Sequence, residues 1–338
     1  VWWAPTNVMP ISDSEGFTPV ADPVEDLDRD EDPDPDEDPE NTLEESMDRF
    51  IEQIHHGQDP MPRKTRGRKA WTMNHLEEVV KAEDAAGRTI TKRFWDTQQR
   101  LFDQQHRDVR RRVREMGDEL PSEGTKEFID RIFNPTSWVT LYASRGRPIY
   151  TAAFVFAGRQ AADQFSLAPF DPKTQRGADF LTKRTTFWAT RVNGETARLL
   201  NAEVQAALAN GEGIVGLEKR VDKVFGYGKD FRTERIARTE MGTAASAGRM
   251  ESYGQNPNVR QKQWITVVDS RTRESHLAAH LQVADFGSDF SVQGEGLEAP
   301  RLGGTASNVI NCRCTVVPIL VDQEPVAGEM VNQPQPTA

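Results

Sequence analysis

Cysteine and long apolar runs are both scarce in this chain of 338 residues. A transmembrane helix needs about 20 consecutive apolar residues, and no stretch of the sequence approaches that length, so we expect no membrane partner. The opening, VWWAPTNVMPIS, has neither the basic region nor the small-residue cleavage site of a secretory signal. These absences together predict a soluble intracellular protein.

The only cysteines are Cys312 and Cys314, separated by one residue. Neighbours at this spacing are badly placed to bridge each other in an extended strand, so the sequence implies no disulfide framework. This cysteine usage indicates synthesis in a reducing compartment. The sequence also lacks a phosphate-binding loop, a nucleophile elbow and a metal-binding carboxylate pair, which argues against the common hydrolase classes.

The net charge of -11 is distributed unevenly along the chain. Much of it lies in the proline-punctuated acidic run from Ala21 to Asp48, which repels itself and cannot bury enough surface to fold. We therefore predict a disordered linker over residues 21–60 and a disordered tail over 321–338. Two basic stretches, Arg63–Lys69 and Arg107–Glu115, allow two interpretations: solvated helix flanks, or contacts with nucleic-acid phosphates.

Helical periodicity is clearest between Leu76 and Met116, within an amphipathic helical region predicted over residues 61–145. Apolar residues recur there at the spacings typical of a narrow apolar stripe. The stripe contains Val79, Val80, Ile90, Phe94, Leu101, Phe102, Val109 and Val113. Such a stripe needs a partner helix, either in this chain or in a neighbouring subunit. Gly87 and the β-branched residues 89–91 are expected to interrupt the helix.

Further helices are expected at Glu127–Trp138, at Pro148–Phe165, from Gly177 to the stop signals at Gly211 and Gly213, at Ile214–Phe225 and at Phe231–Gly254. Strand signals appear only after these helices, in QKQWITVVD and CRCTVVPIL. The predicted fold class is therefore α+β, a mainly helical body with a small C-terminal β-containing cap. The Gly-rich acidic stretch Asp285–Gly304 lacks the spacing of a calcium loop and is expected to be an exposed loop.

The last third of the chain contains unlike motifs in a characteristic order. Arg-Thr-Glu at Arg238 precedes a strand with Trp264, then Asp-x-Arg-Thr-Arg-x-x-His from Asp269, and finally Asn-Cys-Arg-Cys-Thr from Asn311. This order resembles the phage head morphogenesis family, the minor capsid proteins similar to phage Mu protein F. The resemblance predicts such a domain over residues 146–320. Its structural motif comprises Arg238, Thr239, Glu240, Trp264, Asp269, Arg271, Arg273 and Asn311.

The resemblance implies a virion structural or assembly protein of a tailed bacteriophage or prophage, and not an enzyme. Such a minor head protein would associate with the portal and act in head morphogenesis and DNA ejection. The implied partners are the portal protein, the scaffold or major capsid protein, and DNA; the implied location is the virion, after assembly in the host cytoplasm. Residues 1–20 also resemble the end of a phage portal protein, so a portal fusion is a sharper version of the hypothesis.

A zinc site in the cap is one interpretation of its histidines and cysteines. Two histidines four residues apart share a face if they lie on a helix, and two thiolates would complete a tetrahedral set. The candidate ligands are His276, His280, Cys312 and Cys314. The alternative is that His276 caps a turn while the cysteines pack as small apolar residues. A metal with four protein ligands would be structural and not catalytic.

The charged residues of the motif also allow more than one interpretation. A nucleic-acid-acting hydrolase or toxin module would use Asp269 and His276, together with Glu240 and Arg238. We favour a structural role, in which Thr239 and Ser275 cap helices and bidentate ion pairs join Arg238, Arg271 and Arg273 to Glu240, Asp269 and Glu274. A third hypothesis is a DNA-binding assembly factor that uses the arginines between Arg107 and Arg114.

Overall fold

The computed structural model describes residues 71–116, 125–226 and 229–326. The predicted portal-like segment (1–20), the acidic linker (21–60), the basic stretch 63–69 and most of the predicted tail lie outside these ranges. Within them, the helical body consists of α1 (Met73–Glu115), α2 (Thr125–Ile132), α3 (Pro135–Gln164), α4 (Gln175–Ala209), α5 (Ile214–Gly226) and α6 (Lys229–Gly254). No helix in the described ranges is long and apolar enough to cross a bilayer.

The connection between α2 and α3 shows how local sequence sets a helix start. The Asn134 side chain accepts hydrogen bonds from the amides of Thr136 and Ser137, and proline occupies the first position of α3. Asparagine at the cap and proline at the first position both favour initiation. The prediction of a single helix over Glu127–Trp138 is therefore wrong, because a new helix begins inside that range.

Helix α1 is continuous through Gly87 and residues 89–91, so the predicted interruption is wrong. Ile90, in the middle of this segment, is only 2% exposed and lies in the core of the body. Burying such a side chain contributes about 1.5–3 kcal/mol. The low helix propensity of one β-branched residue costs less than about 1 kcal/mol, so tertiary packing outweighs it.

The apolar stripe of α1 finds its partners within the same chain. Helix α1 packs on α3, α5 and α6, and its buried residues include Val79, Ile90, Phe94, Leu101, Phe102, Val109 and Val113. The predicted division between regions 61–145 and 146–320 falls inside α3, and residues on both sides of it share one core. The described helices therefore form one body across that division.

Close contact between α3 and α6 depends on a glycine. A Cβ atom added to Gly248 would lie 2.0 Å from the carbonyl oxygen of Phe154, a separation that no backbone tolerates. Gly248 lies in a segment of small residues, Thr243–Gly248, which allows this close approach. The two helix backbones come close together because Gly248 has no side chain to separate them.

The cap contains two small antiparallel sheets. In the first, the order is β2-β1-β6, with β1 (Val259–Ile265) between β2 (Val283–Asp285) and β6 (Thr315–Leu320). In the second, the order is β3-β4-β5, formed by β3 (Phe290–Val292), β4 (Glu295–Ala299) and β5 (Leu302–Gly303). The expectation of an exposed loop at Asp285–Gly304 is wrong, because that stretch forms the second sheet and buries side chains such as Phe290 and Leu297. The α+β class is confirmed.

Strand β6 is fixed to the helical body by hydrogen bonds from two aromatic side chains. The Tyr253 hydroxyl, at the end of α6, donates to the carbonyl of Val316 over 3.0 Å. The Trp71 indole, just before α1, donates to the carbonyl of Pro318 over 2.9 Å. Two short helices complete the cap: α7 (Glu274–Ala278), and α8 (Ala306–Val309) shortly before β6. Strand β6, which directly follows Cys314, is thus held at the junction with the body.

Candidate functional site

His276, Cys312 and Cys314 form a buried cluster between α7 and the start of β6. The Nδ1 atom of His276 lies 3.3 Å from the Cys314 sulfur and 3.5 Å from the Cys312 sulfur. All three ligand atoms lie within 4.8 Å of one another, and each residue is at most 4% exposed. Imidazole nitrogen and thiolate sulfur are the ligands that zinc prefers, so this is the part of the described chain best suited to hold a metal.

Backbone geometry and two arginines position the cysteine segment. Asn311 has a φ of 53°, in the left-handed region that few residues other than glycine, asparagine and aspartate adopt readily, and it turns the chain from α8 into the Cys-Arg-Cys segment. Arg273 donates a hydrogen bond to the carbonyl of Ile310, and Arg301 donates one to the carbonyl of Cys312. Charged donors therefore satisfy carbonyls that no regular strand pairing would satisfy.

Thr266 and Trp264 fix the other side of the cluster. The Thr266 hydroxyl donates to the carbonyl of His276 over 2.8 Å and accepts from the Trp264 indole over 3.0 Å. The Trp264 ring meets the His276 ring edge-on, with centroids 5.7 Å apart. This contact anchors α7 to β1 and sets the direction of the His276 imidazole.

The two thiols differ in their readiness to lose a proton. The hydrogen bond from Cys314, together with contacts from His276 and the charge of Arg301, lowers the pKa of Cys312 well below that of a free thiol. The same hydrogen bond and burial raise the pKa of Cys314. The pair therefore favours one thiolate and one thiol, with Cys312 as the thiolate.

His280 is not part of this cluster, so the structure brings together three of the four predicted ligands. Helix α7 ends at Ala278, which places His280 beyond the helix and off the face that carries His276. The Nδ1 atom of His280 instead accepts a hydrogen bond from the Thr266 amide over 3.1 Å. Burial lowers the pKa of His280, so the imidazole is favoured in its neutral form.

Asp269 lies in the loop after β1 and is fully engaged. Its carboxylate oxygens accept two hydrogen bonds from Arg313, at 2.6 and 2.5 Å, and one each from the Arg271 amide and the Thr272 hydroxyl. The Arg313 pairing holds the pKa of Asp269 well below its usual range. The predicted acid–base pairing of Asp269 with His276 is not supported, because His276 faces the sulfurs while the carboxylate is saturated by other donors.

The Arg-Thr-Glu motif on α6 makes contacts different from those predicted. Arg238 pairs with Glu234 over 2.6 Å at the surface, because residues two apart, such as Arg238 and Glu240, lie on different sides of a helix. Thr239 lies inside α6, where its hydroxyl donates to the carbonyl of Arg235 and accepts from the Asn311 amide over 3.2 Å. Thr239 therefore links body to cap and is not a helix cap.

Glu240 is buried and forms a bidentate ion pair that the sequence did not predict. Arg184 on α4 donates to its two carboxylate oxygens over 2.7 and 2.8 Å. The Tyr150 hydroxyl on α3 donates to the same group over 2.7 Å. Glu240 thus joins three helices of the body and does not face the thiol cluster.

One of the remaining predicted pairs is present and another is not. Arg271 forms an ion pair with Asp269, with the nearest atoms 3.7 Å apart. Arg273, expected to pair with Glu274, donates to the backbone as described above, and Ser275 lies at hydrogen-bonding distance from the Asn308 side chain, at 3.5 Å. Arg313 could have been suspected as an outward residue, because it alternates with two cysteines that are expected to be buried. Arg184 and Arg301 carry no local sequence signal of their roles, because each is separated along the chain from the residue that it contacts.

The basic stretch near the end of α1 is largely paired within the chain. Arg110 and Arg114 both contact Glu218 on α5, the latter at 2.8 Å. Arg111 and Arg112 pair with Asp108 on their own helix. Interleaved carboxylates offset the positive charge that a phosphate contact would use, which favours the interpretation of a solvated helix flank over a DNA-binding surface.

Comparison with known proteins relates part of the chain to phage proteins. Residues 199–317, from the second half of α4 into β6, match the family described as Phage Mu protein F like protein. The chain is also 32% identical over 89 residues to the NAD(+)--arginine ADP-ribosyltransferase EFV of Enterococcus faecalis, a match that covers 25% of this chain and 18% of that protein. No solved structure matches the chain. The family match confirms the resemblance inferred from the motif order.

Proposed function

We propose that this chain, whose residues 199–317 belong to the Phage Mu protein F like family, is a minor structural protein of a tailed-phage head that associates with the portal during assembly. The family match is the observation that carries the proposal. It includes Arg238-Thr239-Glu240, the Trp264 strand, the Asp269–His276 segment and the Cys-Arg-Cys segment, which the structure joins in one region at the junction of body and cap. The proposed location is the virion, after assembly in the host cytoplasm.

The structure changes how such a protein would contact its partners. The apolar stripe of α1 was expected to need a partner in this chain or in a neighbouring subunit. From Ile90 to Val113 it lies in the core of the body and is not free to bind a portal or scaffold protein. We therefore assign the contact with the portal to segments of the chain outside the helical body. Among these, residues 1–20 resemble the end of a portal protein, and the acidic residues 21–60 would provide reach between portal and body.

A non-enzymatic role accounts best for the polar residues of the motif. Asp269 is saturated by Arg313 and its neighbours, and Glu240 is neutralised by Arg184 inside the body. Neither carboxylate is left available to act as a general base. ADP-ribosyl transfer is an activity of the Enterococcus faecalis relative, and the shared 89 residues are 18% of that protein. We propose that the shared part is a module which occurs in proteins of different overall function.

Analysis of heads tests this proposal. Heads would be purified from cells that produce the phage encoding this chain, once with and once without its portal protein, and the chain would be quantified by mass spectrometry against the major capsid protein. We expect a few copies per head, lost when the portal is absent. Absence from portal-containing heads would overturn the head assignment, and equal amounts in both preparations would overturn the portal association.

Two deletions locate the docking segment. Removal of residues 1–20 is expected to abolish incorporation into heads, whereas removal of residues 327–338 serves as a matched terminal control and is expected to leave it unchanged. Incorporation that survives the first deletion would contradict docking through the portal-like segment while leaving the head assignment intact. Incubation of the full chain with labelled NAD and an arginine-rich protein is expected to transfer no label, and transfer would establish the enzymatic alternative.

A further inference from the structure

We propose that His276, Cys312 and Cys314 bind one zinc ion that fastens α7 to the start of β6. The three residues come from two segments separated by 35 residues of the cap, and only the tertiary fold brings them together. The site is independent of head association, so the failure of one proposal leaves the other standing.

The separations of the ligand atoms fit tetrahedral coordination. With Zn–S bonds of about 2.3 Å and Zn–N bonds of about 2.0 Å, the nitrogen and sulfur ligands of one ion lie about 3.5 Å apart. The His276 nitrogen lies 3.3 Å from one sulfur and 3.5 Å from the other. Both nitrogen–sulfur separations are therefore already close to those of ligands that share a zinc ion, and all three ligand atoms lie within 4.8 Å of one another.

The surroundings supply the conditions that a buried metal needs. Without a metal, the His276 imidazole is 2% exposed and has only sulfur partners at Nδ1, while Nε2 has no hydrogen-bond partner among the described residues. Sulfur is a weak hydrogen-bonding group, so burial of this imidazole is poorly compensated. A bond from zinc to Nδ1 would replace the weak sulfur contacts with a strong one, and the ring proton would then lie on Nε2.

The charge balance also favours zinc. Two thiolates neutralise a divalent ion, and any thiol proton still present would pass to solvent as the Zn–S bonds form. Oxygen-preferring ions such as Mg²⁺ or Ca²⁺ are disfavoured, because the cluster offers nitrogen and sulfur.

The protein supplies three ligands, and a solvent molecule would take the fourth position. Three other polar residues of the cap are already engaged: Thr266 bonds the His276 carbonyl and Trp264, His280 accepts from the Thr266 amide, and Asp269 is bound by Arg313. The cluster lies between α7 and β6 beside the Trp264 ring, so a zinc ion there would join these two segments of the cap.

Metal content of the full chain tests the site directly. The protein would be purified without metal, loaded with zinc, freed of unbound ion and measured by elemental analysis. We expect about one zinc per chain for the wild type, and loss of zinc in Cys314→Ser and in His276→Asn. His280→Asn is the matched control: it removes a cap histidine that is not a ligand and should retain zinc. Loss of zinc in His280→Asn would overturn the three-ligand assignment.

A second measurement keeps the test decisive if a variant folds poorly. Zinc at a thousandfold excess over Kd is expected to raise the Tm of the wild type by roughly 8 °C, and a chelator should reverse the rise. Cobalt added to the metal-free wild type should give the visible bands of a tetrahedral site and thiolate-to-metal charge transfer. A wild-type protein that binds no zinc, shows no Tm response and gives no cobalt spectrum would overturn the proposal.

Discussion

The helical body and the cap are stabilised in different ways. In the body, long helices satisfy their own backbone groups, and contacts such as Gly248 against Phe154 bring the helices close together. In the cap, strands are short and several non-glycine residues have a positive φ, among them Leu281, Arg301 and Asn311. Side chains must therefore complete the backbone pairing there, as Arg301 does for Cys312. The difference teaches that side chains in the body mainly join one helix to another, whereas side chains in the cap must also satisfy its backbone groups.

Removal of a buried charge from the body should have the largest effect. Arg184→Met leaves the Glu240 carboxylate buried at the junction of three helices without its ion-pair partner. We expect the free energy of unfolding to fall by about 3–5 kcal/mol, measured by urea denaturation. The double variant Arg184→Met/Glu240→Leu is the control and should recover most of the loss. A loss in the single variant below about 1 kcal/mol would show that the pair is not buried as described.

A methyl group between two body helices should have the next largest effect. Gly248→Ala places a Cβ against the Phe154 carbonyl and forces α3 and α6 apart, with an expected loss of about 3 kcal/mol. Gly194→Ala, at an exposed position of α4, is the matched control, since nothing lies within 4 Å of its added Cβ. That control should stabilise the protein by about 0.5–1 kcal/mol. Equal urea midpoints for the two variants would refute the close approach.

In the cap, removal of one polar contact should have a smaller but measurable effect. Arg301→Gln takes away the donor to the Cys312 carbonyl, and the expected loss is about 1–2 kcal/mol. Arg260→Gln, at an exposed position of β1, should change stability by less than about 0.5 kcal/mol. Hydrogen exchange of the cap amides would show whether the loss is local to the cap. An effect spread evenly over the body would contradict the contrast between the two regions.

The smallest expected effect is the acid sensitivity of the Asp269–Arg313 pair in the cap. Pairing lowers the pKa of Asp269 in the folded state, so its contribution is present above the unfolded pKa of about 3.9 and is lost as pH falls below that value. Since the pair is partly exposed, we expect Asp269→Asn to cost about 1 kcal/mol at pH 7. The difference in free energy of unfolding between wild type and variant, measured by urea denaturation, should narrow at pH 3. A difference that is the same at pH 7 and pH 3 would exclude this contribution of the ion pair.

Much of the fold could be predicted from local patterns. The periodicity of α1 identified its buried side chains, and the apolar β-branched run before Leu320 identified β6, because both signals come from residues close in sequence. The second sheet was missed, since its strands have two to five residues and lie among glycines and acidic residues. The break at Asn134 was missed because the cap signal fell inside a stretch that had been interpreted as one helix.

The candidate site was only partly predictable for a related reason. Cys312 and Cys314 were identified as a pair from their spacing, but the assignment of His280 as a ligand assumed a helix longer than α7. Arg184, the partner of Glu240, carries no local sequence signal of its role. The same is true of Arg301, the partner of the Cys312 carbonyl. Arg184 lies 56 residues from Glu240, and Arg301 lies 11 residues from Cys312 across an irregular turn.

The sequence by itself determined the α+β class, the order of the motifs and the similarity of residues 199–317 to a phage protein family. These features depend on periodicity and on residue types at short spacings, which are properties of the chain alone. Only the tertiary structure decided that the α1 stripe is buried in its own body, that Glu240 pairs with Arg184, and that His276 and not His280 meets the two cysteines. Each of these contacts depends on where helices end and how they pack, since a side chain reaches a distant partner only after the backbone between them is placed.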